Sequence, residues 1–133
     1  MLFATDVRAA DFAHLLADGA WPAVDLRTTV LLERVPPSHP STMGAAALRR
    51  PGRARITSYR NTEVILEADS SDGGFLVLND LWHPWWFAEL DGRAADVLRA
   101  NVLFRAVAVP PGRHTVRFTF RPLAGAWAQL RKN

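Results

Sequence analysis

The most chemically suggestive stretch of the sequence is an aromatic run around one histidine, Leu81-Trp82-His83-Pro84-Trp85-Trp86-Phe87. One strand cannot turn all of these side chains inward, because successive side chains point to opposite faces. Exposed aromatic faces are used at sugar-binding surfaces and membrane interfaces. We therefore predict that Trp82, His83 and Trp85 form a contact surface for a glycan or a protein partner. Trp86 is expected in the core, and the alternative places Trp82 beneath a loop.

Arg105 is the second residue of interest, because it lies between Phe104 and Ala106 in an otherwise apolar strand. A buried guanidinium needs a carboxylate partner to offset its lost hydration. Asp80 and Asp96 could each provide one. We predict a structural ion pair between Asp80 and Arg105 and favour it over a substrate contact.

The patterns that would indicate an enzyme or a metal site are missing. The four histidines form no HExxH or HxH motif, and the chain has no cysteine, which excludes disulfides, cysteine zinc ligands and a cysteine nucleophile. There is no GxSxG or SxxK motif and no phosphate-binding glycine loop. Asp80 and Glu89 are the carboxylates that a glycan hydrolase could use, and this is the weakest hypothesis. We predict no catalytic residue, no metal and no cofactor.

The charge pattern argues against nucleic acid as a partner. The formal net charge is +3, and fifteen of the sixteen basic residues are arginine. They are spread along the chain, whereas nucleic-acid binding needs clustered charge interleaved with exposed aromatics. The densest group is Arg49-Arg50-Pro51-Gly52-Arg53-Ala54-Arg55, which could bind an anion or a lipid headgroup.

The length and hydropathy of the chain limit which architectures can position these residues. A chain of 133 residues with 49% apolar and 22% charged residues is typical of one folded domain. No apolar run approaches the roughly 18 residues of a transmembrane helix. Residues 1–6 lack the basic start of a signal peptide, so the chain by itself is expected to stay in the cytoplasm.

The hydrophobic period predicts one helix followed by short strands. Residues 6–18 have helical spacing, with Thr5 or Asp6 as N-cap and Gly19 as the stop. Residues 34–52 are predicted to be a long loop, with a first strand before them. The four residues Phe75-Leu76-Val77-Leu78 are typical of a strand buried on both faces. Another strand is predicted from Val102 to Val109.

Two hairpins can be aligned residue by residue. A three-residue loop from Arg60 through Thr62, with Asn61 at positive φ, sets Ile56 opposite Leu66, whereas a two-residue turn at Arg60-Asn61 would mix the faces. The same register places Arg55 beside Glu67 and Arg53 beside Asp69. In the second hairpin, Asp91-Gly92 predicts a two-residue turn that pairs Ala88 with Ala95 and Trp86 with Val97.

These elements predict a mostly β domain, an antiparallel β-sandwich of the Ig-like or jelly-roll-like kind, preceded by one short N-terminal helix. We expect a single domain over residues 1–133. Its parts are a helical segment at 1–27, a strand and long loop at 28–52, the sandwich core at 53–122 and a C-terminal tail at 123–133.

Two ordered series of motifs add a resemblance to a known family. The first is Gly74-Phe75-Leu76-Val77-Leu78-Asn79-Asp80, then Pro84, Trp86 and Asp91-Gly92. The second is Arg99-Ala100-Asn101-Val102-Leu103-Phe104-Arg105-Ala106-Val107, then Pro111-Gly112-Arg113-His114-Thr115-Val116 and Phe118. Together they resemble the C-terminal soluble domain of the YfhO-like bacterial membrane proteins, over about residues 10–122. The chain departs from the family pattern at Trp85, usually glycine, and at Phe87, usually polar.

The resemblance implies an extracytoplasmic β-rich domain attached to a membrane portion similar to lipid-linked-sugar glycosyltransferases. That portion, which is expected to hold the catalytic residues, is absent from these 133 residues. The leading hypothesis is therefore a non-catalytic accessory domain for cell-envelope glycosylation, with a glycan or a membrane protein as partner. The alternative is a free-standing carbohydrate-binding module that uses Trp82, His83 and Trp85.

Overall fold

The computed structural model describes residues 2–19, 21–35 and 52–132. It contains eleven strands and two helices within these ranges, in two sheets. The prediction of a mostly β, sandwich-like fold is confirmed. Most of the predicted long loop, with Arg49 and Arg50, lies outside the described residues. The elements in chain order are β1 Leu2–Ala4, β2 Asp6–Ala9, α1 Phe12–Asp18, β3 Thr29–Leu32, β4 Arg53–Arg60, β5 Glu63–Ser70, β6 Gly74–Leu81, β7 Trp86–Leu90, β8 Arg93–Ala95, β9 Leu98–Ala100, β10 Phe104–Val109, β11 Gly112–Phe120 and α2 Pro122–Lys132.

The two sheets differ in their strand directions. One sheet has the order β1-β6-β10-β9-β3-β2, and the other has the order β4-β5-β11-β7-β8. All pairs are antiparallel except β2 with β3, which run parallel. The expectation of a purely antiparallel sandwich is therefore wrong at this edge. Parallel neighbours need a crossover connection, and α1 lies in that connection.

The main core lies between the sheets. The six-stranded sheet contributes Leu76, Leu78 and Val107, and the five-stranded sheet contributes Leu66 and Phe118, all buried. A second cluster buries the opposite face of β6 through Phe75 and Val77. This arrangement confirms that residues 75–78 are covered on both faces and explains why that strand does not alternate.

The β4–β5 hairpin has the predicted register at its base, where Ile56 faces Leu66 and Arg55 faces Glu67. The predicted loop is wrong. Thr57 is the extra residue of a β-bulge in β4, so that Arg60 faces Glu63. The turn therefore contains only two residues, Asn61 and Thr62. Asn61 is not among the residues with positive φ. A bulge shifts the register as an extra loop residue would, while it keeps both strands paired.

The β7–β8 hairpin turns as predicted at Asp91 and Gly92, with φ values of 52° and 81°. Ala88 faces Ala95. The further pairing of Trp86 with Val97 is wrong, because β8 ends at Ala95. Trp86 instead faces Phe120 across the β7–β11 ladder.

The N-terminal helix is shorter than predicted. Asp11, and not Thr5 or Asp6, is the N-cap: its side chain accepts a hydrogen bond from the His14 backbone N–H at 3.2 Å. Gly19 ends the helix with φ of 65°, as expected. Residues 6–9 are extended because they pair with β3, a partner that local spacing cannot reveal.

Two further boundaries correct the sequence analysis. Val102 has φ of 73°, so it belongs to the turn before β10 and the predicted strand begins at Phe104. The expected tail at 123–133 contains α2, which spans Pro122–Lys132. No helix in the described ranges is long and apolar enough to cross a membrane.

Candidate functional site

The predicted aromatic surface is divided between two environments. Trp82 donates its backbone N–H to the Leu103 carbonyl at 2.7 Å. The Arg99 guanidinium lies 5.5 Å from the Trp82 ring and the same distance from the Phe12 ring. Trp82 therefore lies beside Arg99 and the β9–β10 turn.

His83 and Trp85 do lie together. Their rings meet edge to face at 4.8 Å between centroids, and the Trp85 backbone N–H donates to His83 Nδ1 at 3.1 Å. Phe120 at the end of β11 completes this group, 5.7 Å from His83 and 6.1 Å from Trp85.

Trp85 is also the residue on which α2 is docked. Its indole Nε1 donates to Gln129 Oε1 at 3.1 Å, and its carbonyl accepts from the Arg121 N–H at 2.9 Å. Gly125 is buried against the ring, because a Cβ at this position would lie 2.3 Å from Trp85 Cδ1. The indole is therefore half-buried and engaged by the helix.

Arg105 and Asp80 lie side by side, as the sequence analysis paired them. Arg105 is only 2% exposed, and its Nη2 donates to Asp80 Oδ2 at 3.1 Å. Nη1 approaches the Leu81 carbonyl at 3.5 Å. The other proposed partner, Asp96, instead lies 3.6 Å from Arg34.

The guanidinium of Arg105 is held between aromatic rings. Its Cζ lies 3.7 Å from the centre of the Trp86 ring and 5.3 Å from that of Phe118, distances at which a cation is attracted to the ring face. Burial lowers the pKa of Arg105, and the charge of Asp80 opposes that shift. None of the described residues provides a hydrogen-bond partner for the buried Nε.

Tyr59 joins this pair and was not predicted from the sequence as a site residue. Its hydroxyl donates to Asp80 Oδ2 at 2.8 Å, and this hydrogen bond raises the pKa of the Tyr59 phenol. The contact spans 21 positions of sequence. Its only local signal is that Tyr59 stands near a predicted hairpin tip.

These residues line a cavity of about 400 Å³, which we call the Asp80 cavity. The tip of the β4–β5 hairpin forms one side, and the end of β6 with the start of β7 forms the other. Arg105 from β10 reaches it from the core. The lining residues are Tyr59, Arg60, Asn61, Val64, Asp80, Leu81, Trp86 and Arg105.

The carboxylates considered for hydrolysis belong to different cavities. Glu89 lines a cavity of about 280 Å³ beside Phe87, and its Oε1 lies 3.8 Å from Arg121 Nη2. Asp80 lines the Asp80 cavity instead. The two side chains therefore do not face one substrate.

Two other concave surfaces differ in character. One, of about 490 Å³, contains charges that are already paired, including His114 with Asp91 at 2.5 Å and Arg113 with Asp69 at 3.5 Å. The other, of about 590 Å³, is mainly apolar and includes Trp21 and Leu103. Within the described ranges, no group of His, Asp and Glu is arranged to hold a metal ion.

Comparisons with known proteins add no relative. No protein-family model matches the chain, and neither the curated proteins nor the solved structures include a match. The resemblance to the YfhO-like family therefore rests on the motifs in the sequence.

Proposed function

We propose that this chain is a non-catalytic accessory domain that binds a saccharide in the Asp80 cavity. The observation that carries the proposal is a cavity of about 400 Å³ that brings the Asp80 carboxylate and the Tyr59 phenol beside the Trp86 ring. Binding sites of this size are mostly apolar with a few placed polar groups, and this cavity has that composition.

The chemistry of the lining favours a ring that carries hydroxyl groups. Among the described residues, both hydrogen bonds that Asp80 accepts use Oδ2, so Oδ1 can accept from a ligand hydroxyl. Asn61 adds an amide that can donate and accept. Tyr59, 59% exposed, and Leu81 offer apolar surface for the C–H face of a sugar ring.

The charges around the cavity do not select between neutral and acidic sugars. The positive charge of Arg105 is offset by Asp80, and the cation is nearly inaccessible. The exposed Arg60 also lines the cavity, so a ligand carboxylate would be attracted by Arg60 while Asp80 repels it.

The wider role is inferred from the family motifs in the sequence. A saccharide-binding domain without its own catalytic residues fits the accessory domain of a YfhO-like membrane protein. Such a domain would act at the extracytoplasmic face, where envelope sugars are attached. The mostly β fold with two sheets supports this assignment.

A protein partner is the second candidate ligand. It is favoured by the mainly apolar concave surface of about 590 Å³, which we call the apolar groove. Trp21, Leu26 and Leu103 line this groove, and each is more than a third exposed. Apolar surface of this kind on a domain marks protein contact.

Calorimetric titration of the full chain with glucose, N-acetylglucosamine, galactose and glucuronic acid tests the proposal. We expect saturable binding of at least one sugar of this panel. Tyr59→Ala removes one cavity wall at an exposed position, and Asn61→Ala removes the amide. His83→Ala is the matched control on the aromatic surface predicted from the sequence.

Loss of binding in Tyr59→Ala with retention in His83→Ala supports the Asp80 cavity. The reverse result places the sugar on the aromatic surface and contradicts the proposed site. No heat of binding across the panel with folded protein rejects the saccharide function and leaves the protein partner.

A further inference from the structure

The helix α2 carries an apolar stripe that the rest of the domain does not cover. Leu123, Trp127 and Leu130 are 78%, 65% and 67% exposed. They follow the spacing i, i+4, i+7, which keeps them on one face of a helix. We call these three residues the α2 stripe.

The stripe faces away from the sandwich because the opposite face of α2 is fixed. Gly125 packs on the Trp85 ring and Gln129 accepts from its indole. At about 100° per residue, Leu123 and Trp127 lie on the side of the helix opposite these two docking residues. The docked helix therefore presents the stripe outward.

The charges of the helix are all of one sign. From Pro122 to Lys132 the sequence contains no aspartate or glutamate, and Arg131 and Lys132 occupy the last turn. Neither has an ion-pair partner within the described residues. Arg121, just before the helix, is half-exposed and lies 3.8 Å from Glu89.

We propose that α2 lies on an anionic lipid surface, with the α2 stripe at the boundary between headgroups and acyl chains. Arg131, on the flank of the stripe, contacts the phosphates, and Lys132, on the other side of the helix, adds positive charge at the same end. An interfacial helix combines an apolar face with basic residues, and tryptophan prefers the boundary between headgroups and acyl chains. A second copy of the chain is the poorer occupant, because it would bring like charges together beside the stripe.

The test is co-sedimentation of the full chain with vesicles of phosphatidylglycerol and phosphatidylcholine, compared with vesicles of phosphatidylcholine alone. We expect binding to the mixed vesicles and a fall in affinity as salt rises. Trp127→Ala is expected to weaken binding about tenfold, because the ring supplies much of the apolar area. Replacing both Arg131 and Lys132 by glutamine should cost about fivefold for each charge.

Trp21→Ala is the matched control, since Trp21 is an exposed tryptophan outside α2. Unchanged binding in this variant, with loss in Trp127→Ala and in Leu123→Gln, supports the proposal. Equal loss in Trp21→Ala and Trp127→Ala contradicts it. An absence of vesicle binding also contradicts it. In that case, a dimer in sedimentation analysis that dissociates in Trp127→Ala would assign the stripe to a second copy of the chain.

Discussion

Two arginine–carboxylate pairs in this molecule have similar chemistry and opposite surroundings. Arg55 makes two hydrogen bonds to Glu67, of 3.0 and 2.7 Å, across the outer face of the β4–β5 hairpin. Arg105 makes a longer bond of 3.1 Å to Asp80. The Arg55 and Glu67 side chains are 75% and 52% exposed, whereas those of Arg105 and Asp80 are 2% and 30% exposed.

Burial, and not bond length, decides how much each of these two pairs contributes to stability. Water and salt screen the exposed pair, so its formation gains little. Arg105 has lost nearly all of its hydration and depends on Asp80, the Leu81 carbonyl and the Trp86 ring. Removing one partner of a buried pair leaves an uncompensated charge.

The largest effect is expected from Asp80→Leu, which leaves Arg105 without its carboxylate. We expect a loss of about 3 kcal/mol in the free energy of unfolding, at the lower end of the usual range because Asp80 is partly exposed. Urea denaturation followed by circular dichroism measures it. Asp80→Leu combined with Arg105→Met should recover much of the loss. A double variant no more stable than Asp80→Leu would show that charge pairing is not the cause.

The ion pair of His114 with Asp91 is expected to have an effect of intermediate size. Its contribution to stability depends on pH. The hydrogen bond with Asp91 raises the pKa of His114 above 6.5, and the bond to His114 lowers the pKa of Asp91 below 3.8. The histidine contribution is complete below about pH 6.5 and is lost as the pH rises through its folded pKa. The aspartate contribution is complete above about pH 3.8 and is lost as the pH falls through its folded pKa.

Both contributions are therefore complete between these limits. We expect the urea midpoint of the parent protein to fall between about pH 6 and about pH 9. In His114→Gln the fall should be smaller, because the titrating partner is gone. Parallel curves for the two proteins would show that His114 does not link stability to pH.

The smallest effect is expected from Arg55→Ala. The hydrogen bonds of the pair are short but exposed, so the variant should lose less than about 1 kcal/mol of unfolding free energy. The difference between the parent protein and the variant should become smaller still in high salt. Urea denaturation at two salt concentrations measures this. A loss as large as that of Asp80→Leu would overturn the ranking by burial.

Sequence patterns predict the parts of the fold that depend on neighbouring residues. The alternation of β5 sets the register of Ile56 against Leu66, and Asp91-Gly92 sets the turn between β7 and β8. Arg105 in an apolar strand is enough to suggest Asp80 as its partner. In each case the side-chain period or a local charge imbalance carries the information.

Contacts with distant elements were not predictable in the same way. Residues 6–9 form a strand because β3 lies beside them, and Tyr59 reaches Asp80 only after the sheets fold. In α2, Pro122 at the first helical position is a start signal, but Gly125 resembles a helix breaker. The glycine is accommodated because it leaves room for Trp85, a residue from another segment.

Occupancy of the Asp80 cavity by a saccharide is tested most directly by ¹H–¹⁵N spectra of the tryptophan indoles. The chain has five tryptophans, of which Trp86 alone lines this cavity, and each signal can be assigned by substitution with phenylalanine. With the saccharide that binds most tightly, we predict a saturable shift of the Trp86 indole signal while those of Trp82 and Trp85 stay in place. A shift of the Trp85 signal without one of Trp86, or no shift in any of the five, would exclude binding in the Asp80 cavity.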